Sequence, residues 1–459
     1  MTIETLPDEV LLKVFDFCVN DILVDQEGWI MLAHVCRRWR SIVFASPLRL
    51  NLTLWCKASK PVRKMLDIWP PLPIVIFDHK CSEKGADNVI ATLEHNDRVR
   101  EIDIMGLSSS GSVLGRFVQA MQEPFPELTD LKLQTVYGPT TLDLPDTFLG
   151  GSAPRLRFCH MDYLPLPALR QLLLSARHLV HLHLENIPTS AYISPEAMVT
   201  CLSVATSLKT LHLGFWSPQS RPDHASQRPP PLIRTVLPAL THFIFLGISE
   251  YSEDFFSRID APLIITVKLF LSPQLTFGVS QLHQFICRTE ALRVLNIANV
   301  DLEFSYSSVE LSQQMLGDSR PRIHLSIQRD WSERQLPSLT QVFSSLSPTL
   351  STLESLIVCD NNLRPDWEHD MENNEWLGLF RTFTSVTNLY LSKNLVPSLV
   401  PALLQLTEER VTEVLPMLQK LYLEGFQPSG LIQDGIGQFV AGRELINHPV
   451  TVEPWDGSG

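Results

Sequence analysis

The sequence predicts an α/β protein in which two short N-terminal helices precede a long array of alternating strands and helices. Three observations carry this. An apolar-x-x-apolar-x-apolar pattern returns twelve times between residues 99 and 418, at a mean spacing of about 29 residues. The stretches between place apolar residues three and four apart, the spacing of one helical face. Two amphipathic segments, LPDEVLLKVFDFC and LAHVCRRWRSIV, stand before the array. A fixed period in this range signals a solenoid, whose units bury their apolar faces only by stacking on the next copy.

In the first N-terminal segment, Leu11, Val14, Phe15 and Cys18 fall at i, i+3, i+4 and i+7. Pro7 suits a helix start because it has no N–H to leave unsatisfied, and Asp8 and Glu9 complement the positive helix end. In the second, Leu32, Val35, Cys36, Trp39, Ile42 and Val43 form the stripe, while Arg37, Arg38 and Arg40 take the other side. Helices this short are marginal alone in water. The two stripes therefore require burial, against a partner protein or against the rest of this chain.

RLNLTL (49–54), the helix-like PVRKMLDIW (61–69) and PLPIVIF (71–77) predict that the sheet begins before the clear repeats. The repeats then start at Val99, Leu128, Leu156, Leu179, Leu208, Leu240, Ile264, Leu292, a degenerate Arg322, Leu353, Val386 and Leu418. LGRFVQAM, PALRQLLLSA, PEAMVTCLSV, VSQLHQFICR, LTQVFSSL, EWLGLFRTF and PALLQLTEERV predict connecting helices. The polar, proline-rich SPQSRPDHASQRPPP (217–231) reads as a projecting loop, either a plain insertion or a docking or modification site. EPWDGSG at the end reads as unstructured.

Because a strand alternates faces, the fourth and sixth pattern positions point into the core and the third and fifth point out. The outward positions predict a ladder in which His160, His183 and His212 are successive rungs, flanked by His181 and His242. Tyr390 and Tyr422 form an aromatic pair, and Glu101, Asp103 and Asp130 an acidic stretch. The histidines read as solvated surface residues, as a polar contact surface for a bound protein, or as metal ligands. With no Cys or carboxylate to complete a set, no metal and no cofactor is expected. Clustered imidazoles titrate near neutrality and would make such a contact surface pH-sensitive.

The chain has 459 residues and a net charge of −13. Residues 1–64 are slightly basic, so the array carries the negative charge. That argues against general nucleic-acid binding, which needs a basic footprint, and slightly favours partners with basic patches. The eight cysteines are scattered, with no C-x-x-C pair, and read as reduced core residues of an intracellular protein. MTIETLPDEV has neither the basic start nor the apolar run of a secretory signal, and no long apolar run predicts a membrane span. Cytoplasm or nucleus is the expected compartment. No G-x-S-x-G elbow, P-loop or H-E-x-x-H occurs, so a non-enzyme is expected.

Leu6-Pro7-Asp8-Glu9, the Leu11/Val14/Phe15 stripe and Val35-Cys36-Arg37-Arg38-Trp39, in that order, resemble an F-box of the fungal type. The stretch between the two halves, CVNDILVDQEGWIM, is longer than the usual motif. The array resembles a leucine-rich-repeat horseshoe, with parallel strands on the concave face and helices on the convex face. The resemblance implies a segmentation into an F-box (1–48), connecting strands and helix (49–98), a repeat array (99–445) and a flexible tail (446–459). It also implies docking on the adaptor subunit of an SCF (cullin-RING) ubiquitin ligase, and through it on a cullin. Leu6, Pro7, Leu11, Val14, Phe15, Leu32, Val35 and Trp39 would form or support that surface. His160, His181, His183, His212, His242, Tyr390 and Tyr422 would face a protein substrate. The alternative is a repeat scaffold with no role in ubiquitination, its N-terminal helices serving as a cap.

Overall fold

The computed structural model describes residues 6–20, 28–45, 52–56, 62–68, 71–78, 83–107, 111–135, 145–164, 169–215, 233–272, 279–302, 306–314, 320–328, 335–360, 373–406, 408–425 and 431–457. The expected loop 217–231 and half of the long stretch between the N-terminal segments (residues 21–27) lie outside them. The chain divides into two units, residues 1–192 with 204–207, and residues 193–203 with 208–459.

The first unit opens with helices α1 (Asp8–Asn20), α2 (Gly28–Val35) and α3 (Arg37–Phe44). Strands and helices then alternate: β1 (Leu52–Trp55), α4 (Val62–Ile68), β2 (Ile74–Asp78), α5 (Glu83–Leu93), β3 (Val99–Leu107), α6 (Gly111–Ala120) and β4 (Asp130–Thr135). A short 3-10 turn (Phe148–Gly151) leads to β5 (Phe158–Asp162), α7 (Leu169–Ser175) and β6 (His181–Ile187). The six strands pair in chain order, all parallel. Register follows the sequence pattern: Asp130 sits opposite Phe158, and Phe158 opposite His181. The inward residues, among them Ile102, Leu131, Cys159 and Leu182, are fully buried. β3 carries an irregularity between Ile104 and Leu107, where Gly106 takes the left-handed conformation (φ 71°) that a side chain would disfavour. Before β3, Arg98 donates to the Leu72 carbonyl from both Nε and Nη2, at 3.0 and 2.9 Å, fastening the turn that precedes β2.

The second unit contains α8 (Pro195–Leu202), β7 (Thr210–Phe215), β8 (Thr235–Val236), β9 (His242–Gly247), α9 (Ser249–Arg258), β10 (Ile259–Asp260), β11 (Thr266–Leu271) and α10 (Ser280–Arg288). It continues with β12 (Ile297–Leu302), β13 (Tyr306–Ser312), β14 (Arg322–Gln328), α11 (Gln335–Leu350), β15 (Ser355–Asp360), α12 (Asn373–Arg381) and β16 (Asn388–Leu391). α13 (Val396–Leu404), β17 (Lys420–Glu424), α14 (Leu431–Leu445) and β18 (Thr451–Trp455) complete it. β8 and β10 form a separate parallel pair. Phe243, Phe255, Phe256 and Phe285 interlock as a fully buried aromatic cluster, with centroids 4.9–6.4 Å apart for their adjacent pairs. Glu253 of α9 accepts from the Gln281 and Leu282 N–H groups at 2.7 and 2.9 Å, capping α10 from the neighbouring helix. Arg443 of α14 is fully buried and donates to the Val411, Leu415, Pro416, Leu418 and His448 carbonyls, at 3.1–3.4 Å.

Several expectations change here. The strands of this unit are not all parallel in chain order: β11 pairs with β14, and β13 runs antiparallel between β14 and β12. β13 (YSSVELS) is not predicted by apolar alternation because three of its seven residues are serines. The repeat assigned to Leu292 lies three residues later. LRVLNI and LNIANV both fit the pattern, and the chain uses the second, because Leu292 is spent closing a 3-10 turn (Glu290–Leu292). The degenerate repeat at Arg322 is out of frame by two: Arg322 itself stands opposite Thr266 at the third position. The helix predicted over PALLQLTEERV ends at Leu404, and a 3-10 turn takes Glu408–Thr412. The tail 446–459 is not wholly flexible, since Thr451–Trp455 pair with Lys420–Glu424. An edge position tolerates Pro454, whose missing N–H would weaken an interior strand. Helices α5, α9 and α14 had no counterpart among the segments predicted from spacing.

Candidate functional site

The motif residues of the N-terminal helices act mainly as fasteners. Cys36 caps α3, its Sγ accepting from the Trp39 N–H at 3.4 Å. Arg40 Nε donates to the Ala33 carbonyl at 2.9 Å and closes the α2–α3 turn. Arg38 Nη2 donates to the Leu6 carbonyl and to Asp8 Oδ1, both at 2.6 Å, tying α3 to the start of α1. The Trp39 ring lies 4.7 Å from that of Phe15, and Leu11, Phe15, Leu32, Ala33, Ile42 and Val43 are buried beneath. The strongest contacts of α1, α2 and α3 are with one another.

A second stripe remains on the outside. Val10, Val14 and Phe17 recur along α1 at i, i+4 and i+7, and Pro7 precedes them at one turn's distance. Met31 and Val35 do the same on α2. Phe17 is 82% exposed, Met31 65% and Val35 59%, unusual for large apolar side chains. Of the predicted docking residues, Pro7, Val14 and Val35 therefore lie on the surface. Leu11, Phe15 and Leu32 lie beneath it, with Leu6 and Trp39 half-buried between. Val10, Phe17 and Met31 share that exposed surface but were not among the predicted docking residues, whose stripes joined exposed Val14 and Val35 to buried Leu11, Phe15 and Leu32.

On the open face of the first unit's sheet, the structure brings His160 and His183 together on adjacent strands, rings 5.7 Å apart. Phe158 lies 5.5 Å from His183 and 6.1 Å from His181. Glu185 Oε1 approaches His160 Nε2 at 3.5 Å, a carboxylate that the third and fifth positions alone do not reveal. Asp162 accepts from Gln134 Nε2 at 2.9 Å and from Asn186 Nδ2 at 2.7 Å. Lys132 pairs with Asp103 at 3.6 Å. Burial, then Asp130 and Asp103, push the Glu101 carboxyl above its ordinary range, with Arg100 opposing.

In the second unit, His212 of β7 stands opposite Ile244, and His242 of β9 opposite Thr210 and Thr266. Tyr390 and Tyr422 stack face to face, centroids 4.3 Å apart and planes within 4°. Trp455 packs edge-on against Tyr390 at 5.6 Å, and the Lys420 ammonium lies 5.9 Å over the Tyr422 ring while pairing with Glu453 at 3.3 Å. The strand predicted to be tail thus completes an aromatic platform.

Residues 3–54 match the F-box-like family, which coincides with α1–α3 and β1. F-box domains dock on the adaptor subunit of SCF-type ubiquitin ligases and are generally non-catalytic. No curated protein matches this sequence. Among the described residues, no helix is long and apolar enough to cross a membrane.

Proposed function

We propose that this chain is the substrate-recognition subunit of an SCF-type ubiquitin ligase, working in the cytoplasm or nucleus. The adaptor would bind the outer stripe of α1 and α2, and a cullin would follow through the adaptor. The observation that carries this reading is an apolar stripe left exposed on a helical module that already has its own small core. A cap sealing an adjacent domain would bury Phe17, Met31 and Val35 within the chain, and they are exposed. The docking surface is then Pro7, Val10, Val14, Phe17, Met31 and Val35, supported from beneath by Leu11, Phe15, Leu32 and Trp39.

Residues beyond the F-box-like segment form a leucine-rich-repeat-like array, with 49–98 as its connecting start. The regular register of β4–β6 supports this, as does the roughly 29-residue period. Substrate would lie on the open strand faces, against His160, His181 and His183 in one unit and against His212, His242, Tyr390 and Tyr422 in the other. Ubiquitin transfer would be performed by other subunits, so this chain contributes proximity.

Titration of the full chain with the SCF adaptor subunit tests the proposal. Saturable binding is expected, and Phe17→Ala combined with Val35→Ala weakens it without changing the melting temperature. A wild-type chain that does not bind the adaptor overturns it.

A further inference from the structure

Among the described residues, Lys or Arg stands at the outward third and fifth strand positions four times, as Lys132, Lys268, Arg322 and Lys420. Lys132 is paired with Asp103 and Lys420 with Glu453, at 3.6 and 3.3 Å. Lys268 and Arg322, both half-buried, have no carboxylate of the described residues within ion-pair distance. They stand on β11 and β14, which become neighbours where strand order departs from chain order. The register sets Thr266 opposite Arg322, and Lys268 opposite His324. Adjacent strands lie ~4.8 Å apart and each residue advances a strand by ~3.3 Å, so both long side chains reach over the ground between them.

Unused hydrogen-bonding capacity gathers at the same place. Thr266 is 2% exposed, yet its Oγ1 has no hydrogen-bond partner, and neither has the buried Nε of Arg322. A buried donor left unmade is costly. Both cations also act on one imidazole: burial pushes His324 below its ordinary value, Lys268 and Arg322 add to the push, and Glu310 opposes it. Glu310 is itself held by Arg320 at 3.2 Å. The junction is therefore a positive spot in an acidic chain. A carboxylate answers each of these features: one oxygen accepts from Arg322 Nε, the other from the Lys268 ammonium, and the Thr266 hydroxyl donates as well.

We propose that Lys268, Arg322 and Thr266 form a subsite for an Asp or Glu side chain on the protein segment that the second unit's open face receives. The inference rests on the substrate-recognition reading above and adds its substrate class: a segment with an acidic residue at one fixed position. The net charge of −13 disfavours such a residue elsewhere on the chain, which sharpens the choice of register.

Panning a display library of random heptapeptides against the full chain tests this. Retained peptides are expected to share Asp or Glu at one position. Arg322→Gln and Lys268→Gln should each reduce their retention at least about tenfold, the scale of a lost bond between charged groups. Thr266→Val keeps the shape, loses the hydroxyl and should reduce retention about threefold, the scale of a single neutral donor. A thermal melt of each variant shows that the loss is not one of folding. Retained peptides without an acidic consensus, no retained peptides, or undiminished retention by any of the three variants each overturn the subsite. Adaptor binding measured on the same preparations separates the two proposals. Adaptor binding without an acidic consensus removes the subsite alone, and an acidic consensus without adaptor binding removes the ligase role alone.

Discussion

The N-terminal helices and the open strand faces arrange buried and exposed residues differently. In the helices the division is spatial: Leu11, Phe15 and Leu32 hold the module from inside, while Val14, Phe17 and Val35 show outward on the same elements. On the first unit's sheet face the outward residues are fastened to one another, as in Lys132–Asp103 and Gln134–Asp162–Asn186. A substitution there disturbs structure and contact surface together. Residues of the proposed docking surface can be separated from structural ones cleanly in the helices, and those of the proposed substrate face only by paired measurements on the sheet.

The largest expected effect comes from the inner stripe. Phe15→Ala should cost about 3–5 kcal/mol, as buried aromatic truncations do, and hydrogen exchange on the full chain should show α1–α3 losing protection first. Phe17→Ala, on the same helix, should stay within about 0.5 kcal/mol in the same experiment. Equal losses from the two would erase the spatial division. Next comes the outer stripe: Phe17→Ala with Val35→Ala should weaken adaptor binding at least about 30-fold, the scale of interface hot spots near 2 kcal/mol.

On the sheet, Asp162→Ala removes a charged acceptor shared by Gln134 and Asn186, worth about 1.5–3 kcal/mol per such bond at the upper end of measured values. Chemical denaturation reads this, and no change would mean the face is less interlocked than its geometry indicates. The smallest effect belongs to Glu101. Its folded-state carboxyl is raised, so the folded chain binds the proton more readily than the unfolded one, and ionisation of this group lowers stability as pH rises. Glu101→Gln should raise the melting temperature at neutral pH, with the gain vanishing below the ordinary carboxylate range. A gain that persists in acid would assign it to packing instead.

Much of the molecule was legible in the sequence, for reasons that particular residues make plain. The Leu128, Leu156 and Leu179 repeats place Asp130, Phe158 and His181 in one row, because identical patterns stack in identical register. Where two frames overlap, as at Leu292 and Leu295, apolar spacing cannot choose, and the 3-10 turn decides. β13 stayed hidden because Ser307 and Ser308 carry no strand signal and its antiparallel pairing is not a repeat. Glu185 and Asp162 were missed for one shared reason: the strands run past the sixth pattern position, and the next residue on the outward side joins the face. In the helices, the predicted stripes mixed buried Leu11, Phe15 and Leu32 with exposed Val14 and Val35, since apolar spacing does not say which of two adjoining faces stays uncovered.

The most direct test of the account is a calorimetric titration of the adaptor subunit into the full chain, with three proteins in parallel: wild type, Phe17→Ala/Val35→Ala, and His183→Ala/Tyr390→Ala. The account expects wild type and the sheet-face variant to bind alike and the helix variant to lose at least about 30-fold in affinity while melting like wild type. A wild-type chain that does not bind, or a helix variant that binds as well as wild type, would contradict it.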